Sequence, residues 1–395
     1  MTGMGRKKAG QERLPIAAQT IVVCHNTSRY LWLHYEQVLR DLAKHYERVI
    51  CVAPRDGDEH AFEVAGLTYQ PIAIQQHGMN PLQEIKFIWD LYWIYKKYDP
   101  HVVLNFSIKP CLYGSLAARL SGVKLIGNMV TGLGYVFLTQ TPLAKLVRLM
   151  VKICYRLVLR KQDLFFFQNP DDASLFKQSG ISRSCREVVL PGTGIDTDYF
   201  YGEPGVPQKG EARFLYIGRM LKDKGLMEYY LAASSLKKRY PNIKVSLLGP
   251  LDENPSAISQ DKINQWHDEG VIEYLGETRD VRPYILQSHV FVLPSYREGL
   301  PRSGLEAMSM SRPVVTTDAP GCRELVEEGE NGYLVDVRDD EQLAVAMEAF
   351  ITQPERCNTM GAASRKRCCA FFDVAFVSDR ILEQLTGQDQ KKSDS

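Results

Sequence analysis

Short apolar runs and longer amphipathic runs alternate along this chain. Buried strands are predicted for QTIVVCH (19–25), RVICVAP (48–54) and HVVLNFS (101–107), which have the length and β-branched content that such strands need. A helix is predicted for EIKFIWDLYWIYKKY (84–98), where apolar residues recur every three or four positions. Regular alternation of the two predicts an α/β protein with a mostly parallel sheet covered by helices on both faces.

The alternation stops once, near the middle of the chain, and then starts again. The interrupting segment, YGEPGVPQKGEA (201–212), is rich in Gly, Pro and charge, as linkers are. Strand-like runs resume with ARFLYIG (212–218) and KVSLLGP (244–250). Two doubly wound, Rossmann-like domains that face each other across a cleft are therefore predicted. The expected organisation is a disordered leader (1–16), a first domain (17–200), the linker (201–212), a second domain (213–368), a helix crossing back (369–387) and a tail (388–395).

Composition and charge narrow the function classes. With 45% hydrophobic and 24% charged residues, the 395-residue chain is expected to be an ordinary globular protein. A formal net charge of +1 argues against nucleic acid as a partner. Nine cysteines without C-x-x-C spacing and eight histidines without H-x-x-x-H spacing predict neither a disulfide framework nor a metal site. We find neither a signal-peptide pattern nor an apolar run of membrane-spanning length, so a cytoplasmic protein is expected.

The segment EGLPRSGLE (298–306) lies between the apolar strand HVFVLPS and a helical run. Its first residue, Glu298, is expected in a loop at the carboxyl end of a strand, where open α/β sheets bind their ligands. Pro301 is expected to be the first residue of the helix. The amides of Arg302 and Ser303 would then be free to bind phosphate.

Two further features suit a nucleotide diphosphate. Glu306 is predicted roughly two turns into the helix on the side of Arg302, where its carboxylate could hold the vicinal hydroxyls of a ribose. IGRMLKDKG (217–225) follows the first strand of the second domain and carries Arg219 and Lys224, two cations that suit a diphosphate. A solvated surface loop is the alternative interpretation of that segment.

These motifs resemble those of the family 4 retaining glycosyltransferases, which have the GT-B fold. The resemblance rests on E-G-L-P-R-S-x-L-E-A-M, on the following R-P-V-V-T-T-D-A-P-G-C-R-E and E-N-G-Y-L-V, and on G-R-x-x-x-x-K-G and P-G-T-G-I-D-T-D-Y-F. In the first domain, residues 106–137 resemble the subgroup that extends sugar chains on polyprenyl-diphosphate carriers, including GalNAc transferases. This sequence departs from the family pattern at Gly304, where a larger apolar residue is usual, and at Ser311, where Gly is usual.

The resemblance implies a role for each matched residue. Glu298 would bind the donor sugar, while Arg219 and Lys224 would neutralise its diphosphate as the leaving group forms. No metal or other cofactor is expected, because these enzymes generally work without a metal. The remaining donor-binding residues would be Gly218, Gly276, Glu277, Gly299, Leu300, Pro301, Arg302, Ser303 and Glu306.

The acceptor and the membrane are expected to meet the first domain. Candidate acceptor residues are Lys109, Thr131, Gly132 and Tyr135, with a plain surface lysine as the alternative for Lys109. In the helical segment 142–162, Lys145, Arg148, Lys152, Arg156 and Arg160 form a basic stripe that could lie on an anionic membrane. The apolar side of this helix is expected to pack against its own domain, and a merely solvated stripe is the alternative.

The predicted function is transfer of a sugar, such as an N-acetylhexosamine, from a UDP-sugar to a polyprenyl-diphosphate-linked saccharide. The protein would work as a peripheral protein on the inner face of the cell membrane, in the assembly of a bacterial surface glycan or glycoprotein glycan. Three alternatives are a hydrolase that uses its two glutamates as acid and nucleophile, a nucleotide-sugar epimerase with the same two-domain architecture, and a catalytically inactive sugar-nucleotide-binding protein.

Overall fold

The computed structural model describes residues 19–74, 80–131, 142–252, 254 and 256–387. A parallel sheet of seven strands forms the centre of the first domain, with the order β3-β2-β1-β4-β5-β6-β7. Its strands are β1 (Thr20–Cys24), β2 (Arg48–Ala53), β3 (Thr68–Pro71), β4 (Val102–Phe106), β5 (Leu125–Val130), β6 (Leu164–Phe167) and β7 (Arg186–Val189). The predicted parallel α/β sheet is confirmed.

Helices cover both faces of this sheet because successive strand residues point to opposite sides. On β1, Ile21 and Val23 face one apolar cluster, whereas Val22 and Cys24 face another. The first cluster includes side chains of α1 and α2, and the second includes side chains of α3 to α6. These helices are α1 (Ser28–His45), α2 (Glu59–Val64), α3 (Pro81–Tyr98), α4 (Ser115–Ser121), α5 (Pro142–Val158) and α6 (Pro170–Ser179).

The second domain repeats the design with a parallel six-stranded sheet in the order β10-β9-β8-β11-β12-β13. Its strands are β8 (Arg213–Ile217), β9 (Lys244–Leu248), β10 (Glu273–Tyr274), β11 (Val290–Leu293), β12 (Val314–Thr317) and β13 (Gly332–Val335). Its helices are α7 (Leu226–Arg239), α8 (Gln260–Asp268), α9 (Arg282–Gln287), α10 (Arg302–Ser309), α11 (Asp340–Thr352) and α12 (Glu355–Phe371). Strand order reverses between β8 and β11, so a ligand crevice is expected at their carboxyl ends.

The last helix, α13 (Val374–Thr386), returns to the first domain. Its Ile381 is buried in the first domain's core, and its Ser378 hydroxyl donates to Asp41 of α1 at 2.7 Å. The predicted helix 369–387 starts too early. Residues 369–371 end α12, and Asp373 caps α13 by accepting a hydrogen bond from the Ala375 amide. The predicted leader and tail lie outside the described residues.

The basic helix α5 packs differently from the sequence-based expectation. Its buried side uses Tyr155 and Val158, which join the core beneath the sheet. Most of the apolar side chains expected to face the domain are instead exposed, by 49% to 80% of their area, at Leu146, Met150, Ile153 and Leu157. The expectation was wrong because Tyr155 and Val158, one turn apart, already occupy the interface between α5 and the rest of the domain.

Candidate active site

Two loops of the second domain meet at the crevice between β8 and β11. The turn after β8 ends at Gly225, which has φ +70°, and a Cβ there would lie 2.0 Å from the carbonyl oxygen of Pro294. Only glycine allows this approach. The contact brings Lys224 Nζ within 2.5 Å of Glu298 Oε1, and both side chains are only about one-seventh exposed, at 15% and 14%.

The backbone of Glu298 is fixed from behind. Its amide donates to the carbonyl of Pro320 at 2.9 Å, and a Cβ at Gly321 would lie 2.3 Å from its carbonyl oxygen. Glu298 therefore presents its carboxylate from a loop that is held on both sides, which fixes its position.

Helix α10 begins one residue later than expected. Pro301 is the N-cap and Arg302 is the first helical residue, so the proline ring lies just outside the helix. The amides of Arg302 and Ser303 have no acceptor among the described residues, whereas the amide of Gly304 donates to Pro301 at 3.0 Å. The Ser303 hydroxyl donates to the Ile217 carbonyl at 3.0 Å, which fixes the helix start beside β8. This helix end can bind an anion.

Glu306 lies one helical turn from the start of α10, not two. Arg302 Nε contacts Glu306 Oε1 at 3.1 Å, confirming that the two side chains share one side of the helix. Burial raises the pKa of Glu306, and the Arg302 guanidinium partly opposes this shift. Burial and the same guanidinium lower the pKa of His34, on α1 of the first domain, to about 3. Helix α1 of the first domain therefore reaches close to Arg302.

Arg219 and Lys224 have different partners in the structure. Arg219 is half exposed and pairs with Asp252 at 3.0 Å, whereas Lys224 is buried against Glu298. The loop is anchored by the buried Tyr216, whose hydroxyl donates to the Arg219 carbonyl at 3.0 Å. A diphosphate bound at the α10 start would compete with Asp252 for the Arg219 guanidinium.

The structure also places the donor candidates Gly276, Glu277 and Leu300. Gly276, with φ +76°, accepts a hydrogen bond from the Gly249 amide at 2.8 Å beyond the end of β9. Glu277 reaches toward the first domain and lies 3.7 Å from Arg29 of α1. The Leu300 side chain is buried and points toward Gly192 of the first domain, where an added Cβ would lie 2.5 Å from it.

On the first-domain side, Lys109 does not present a free ammonium. Its Nζ lies 2.5 Å from Glu84 Oε1 on α3, and both side chains are largely buried. Glu84 also borders a cavity of about 630 Å³ that is lined by Arg55, Ile72 and Phe87, among others. Thr131 lies at the cleft, whereas Gly132 and Tyr135 fall outside the described residues.

The sequence does not reveal the contacts that the first domain makes with the Glu298 loop. The side chain of Asn169 donates to the Gly299 carbonyl at 2.7 Å and more weakly to the Glu298 carbonyl at 3.4 Å. Asp172 forms an ion pair with Arg297, the residue before Glu298. The only signal was NPDD (169–172), which predicts a helix cap but carries no information about a partner in the other domain.

No group of three or more His, Cys, Asp or Glu side chains in the described part of the chain is arranged to hold a metal ion. Among the described residues, the paired side chains and the start of α10 supply charge at the site. Among the described helices, none is long and apolar enough to cross a membrane.

Comparison with known proteins assigns both halves of the chain. Residues 203–367 match the model for "Glycosyl transferases group 1", and residues 21–169 match that for "Glycosyl transferase 4-like". The chain belongs to the glycosyltransferases. Glycosyltransferases are enzymes that move a sugar from a donor to an acceptor. The crevice at the start of α10 is the candidate active site.

Two similar enzymes act on lipid-linked sugars. The chain is 25% identical over 357 residues to N,N'-diacetylbacillosaminyl-diphospho-undecaprenol alpha-1,3-N-acetylgalactosaminyltransferase of Campylobacter jejuni, covering 88% of this chain and 93% of that protein. It is 24% identical over 321 residues to UDP-Gal:alpha-D-GlcNAc-diphosphoundecaprenol alpha-1,3-galactosyltransferase of Escherichia coli, covering 77% and 80%.

Solved structures establish the fold. Anabaena Alr3699/HepE in complex with UDP and glucose superimposes with a TM-score of 0.74 at 17% identity, covering 93% of this chain and 99% of that one. Sucrose-phosphate synthase of Thermosynechococcus elongatus gives a TM-score of 0.76 at 19% identity, covering 94% and 98%. The glycosyltransferase described here has the predicted GT-B fold.

Proposed function

We propose that this glycosyltransferase moves a sugar, such as N-acetylgalactosamine, from a UDP-sugar to a saccharide linked to undecaprenyl diphosphate. The observation that carries the proposal is the buried Lys224–Glu298 pair beside the free amides at the start of α10. That arrangement offers a cation, a carboxylate and a helix N-terminus to one small volume. The acceptor class is supported by the two relatives, which cover most of the chain.

The proposed reaction keeps the configuration of the transferred sugar. The acceptor hydroxyl oxygen bonds to the anomeric carbon on the face from which UDP departs, and the bond from that carbon to the diphosphate oxygen breaks. The proton of the hydroxyl passes to the departing diphosphate. Lys224, Arg219 and the α10 amides stabilise the charge that develops there, so no metal is needed.

Within this scheme the two glutamates have different roles. Glu298 orients the hydroxyls of the donor sugar without forming a covalent bond, and Glu306 holds the ribose. Binding of the donor exchanges partners, because Lys224 leaves Glu298 for the diphosphate while Glu298 turns to the sugar. Trapping of a glycosyl ester on Glu298 would contradict this mechanism.

The proposed acceptor is embedded in a membrane. One surface of the first domain has features that suit contact with a membrane. Helices α3 and α5 both pack on α4, on the same side of the sheet. Each of these three helices exposes large apolar side chains, and α3 and α5 also carry basic residues. The apolar side chains are Leu82, Ile85, Trp89, Trp93, Leu120, Leu146, Leu149, Met150, Ile153 and Leu157.

The charge on this surface favours an anionic membrane. The segment 142–162 contains basic residues and no acidic residue, and each cation near an anionic surface contributes about 1 kcal/mol. One predicted cation, Arg156, is partly committed to the protein, because its Nε donates to the Gly180 carbonyl at 3.1 Å. Exposed Trp89 and Trp93 are the kind of residue that prefers the headgroup region.

Vesicle binding tests this surface. The protein should sediment with anionic vesicles at low salt, and a Trp89→Glu/Leu157→Glu variant should stay in solution. A matched control is Val345→Glu, which adds charge to an equally exposed apolar position on α11 of the second domain. Equal binding by all three proteins would remove α3 and α5 from the membrane surface.

The central experiment measures UDP release from UDP-GalNAc, UDP-GlcNAc, UDP-Gal and UDP-Glc, each with and without an undecaprenyl-diphosphate-linked sugar. Release that requires both the acceptor and Glu306 supports the proposal and names the donor. Release without acceptor would favour hydrolysis. Conversion of the free UDP-sugar to its epimer would favour the epimerase, and binding without any reaction would favour the inactive binding protein.

A further inference from the structure

Asn169 bridges the two domains at the loop that carries Glu298. Its side chain is fully buried, and each end of its carboxamide has a separate partner. The oxygen accepts a hydrogen bond from the Asp172 amide at 2.8 Å, which caps α6 of the first domain. The nitrogen donates to the Gly299 carbonyl of the second domain at 2.7 Å. The helix cap holds the oxygen of the carboxamide and therefore fixes the direction in which its nitrogen points.

The surrounding contacts strengthen the same junction. The fully buried Asp172 pairs with Arg297, and Arg323 contacts Asp171 at 3.0 Å. Asn169, Asp171 and Asp172, at the start of α6, thus bind the second domain. Asn169 and Asp172 contact the residues on either side of Glu298. Because these bonds cross the cleft, opening of the cleft would break them.

Close packing leaves Gly299 no freedom to move alone. A Cβ on Gly299 would lie 2.4 Å from the Gln168 side-chain oxygen and 2.6 Å from the Thr131 carbonyl. The absence of a side chain at Gly299 is thereby explained by the approach of the first domain. A shift of the first domain would displace the Glu298 loop as well.

We propose that Asn169 is a positioning residue, which couples closure of the domains to the placement of Glu298 through the carbonyls of Glu298 and Gly299. The inference rests on the proposed transferase function, since it assigns Glu298 to the donor sugar. Asn169 does not touch the donor in this scheme. It acts on the geometry of the loop, which affects the rate of transfer more than the binding of UDP.

The decisive variant is Asn169→Asp, which separates the two roles of the side chain. Aspartate caps a helix as well as asparagine does, but it replaces the donating nitrogen with a carboxylate oxygen that faces two carbonyl oxygens. We expect kcat to fall about ten-fold or more with the KM for the UDP-sugar nearly unchanged. The melting temperature should fall as well, because the new carboxylate is buried against two carbonyl oxygens. Asn169→Ser, which keeps a cap without the repulsion, should lose less.

A matched control makes the same change at another helix start. Asn80 caps α3 by accepting from the Leu82 amide at 3.1 Å, and it is exposed. Asn80→Asp should leave kcat unchanged. Full activity of Asn169→Asp would overturn the proposal, because it would reduce Asn169 to a helix cap.

Hydrogen–deuterium exchange gives a second measurement that needs no activity. With saturating UDP, the segment 295–301 should exchange faster in Asn169→Asp than in the unmodified protein, while 170–179 should exchange equally in both. Unchanged exchange at 295–301 would also overturn the proposal. If the unmodified protein transfers no sugar, the proposed function fails, whereas the exchange experiment still decides whether Asn169 holds the loop.

Discussion

The second domain has two ion pairs of its own at the crevice between β8 and β11, whereas the first domain has an ion pair at the edge of a cavity. On the second-domain side, Lys224 pairs with Glu298 and Arg302 pairs with Glu306. On the first-domain side, Lys109 pairs with Glu84 at the edge of a space of about 630 Å³. The proposed donor side is polar, and its ligand must exchange partners with the existing ion pairs. The proposed acceptor side borders this cavity, which is partly lined by apolar side chains such as Ile72 and Phe87.

The largest effect is expected at the Lys224–Glu298 pair. Lys224→Ala should lower kcat by about 10²–10³-fold, because it removes a preorganised cation from the leaving group. The double variant Lys224→Ala/Glu298→Ala should lose less than the sum of the two single losses, because each single variant leaves the other charge of the pair without its partner. Steady-state kinetics on the four proteins of this cycle measures the coupling. Fully additive losses would mean that the pair seen in the structure is not the functional unit.

The same comparison explains what could be predicted from the sequence. The parallel α/β domains follow from strand and helix periodicity, and Glu298, Lys224 and Glu306 lie within short motifs that determine their own local structure. Arg219 turned to Asp252, some thirty residues away in sequence, so its partner could not be read from the loop. Asn169 was equally hidden, because its contacts depend on how two separately folded domains meet. Local pattern predicts local geometry, but contacts between domains require the assembled chain.

The next effect concerns the pH dependence of donor binding. Burial raises the pKa of Glu306 above its ordinary value of 4.5. As pH falls toward that raised pKa, the carboxylate gains a proton and loses an acceptor for the ribose, so affinity for a UDP-sugar should fall. The fold itself gains stability from this group over the same range, because a raised carboxyl pKa means that the folded state binds the proton more tightly. Weaker binding at low pH would therefore not result from unfolding through Glu306.

Glu306→Gln tests this interpretation. The variant should bind a UDP-sugar about ten-fold more weakly at neutral pH, since it replaces a charged acceptor with a neutral one. Its affinity should also stay level over the pH range in which the unmodified protein weakens. Calorimetric titration with a UDP-sugar is suitable, because a diphosphate diester does not titrate in that range. A pH profile that persists in Glu306→Gln would assign the titration to another group.

A smaller effect is expected on the first-domain side. Lys109→Ala alone should destabilise the protein by about 3 kcal/mol, because it leaves the Glu84 carboxylate buried without its partner. Glu84→Gln/Lys109→Gln removes both charges and so isolates any role in binding. We expect this double variant to raise the acceptor KM about five-fold, a loss of about 1 kcal/mol, with the donor KM unchanged. An unchanged acceptor KM would mean that the pair has only a structural role. A changed donor KM would contradict the assignment of this pair to the acceptor side.

The smallest effect is expected at Ser311, where a substitution tests whether relief of backbone strain disturbs the proposed donor-binding residues. Ser311, where related sequences usually have glycine, follows α10 and has φ +59°. A left-handed conformation costs a residue with a Cβ about 1 kcal/mol, so Ser311→Gly should raise the free energy of unfolding by about 0.5–1 kcal/mol. Gly329, with φ +77° and open space around it, offers the reverse control, since Gly329→Ser should cost a similar amount.

Glu306 is held by Arg302, and the helix start is held by Ser303, so kcat should not change. Denaturant unfolding with parallel kinetics separates the outcomes: a stabilised but slower Ser311→Gly enzyme would mean that the strained end of α10 helps to place the donor residues.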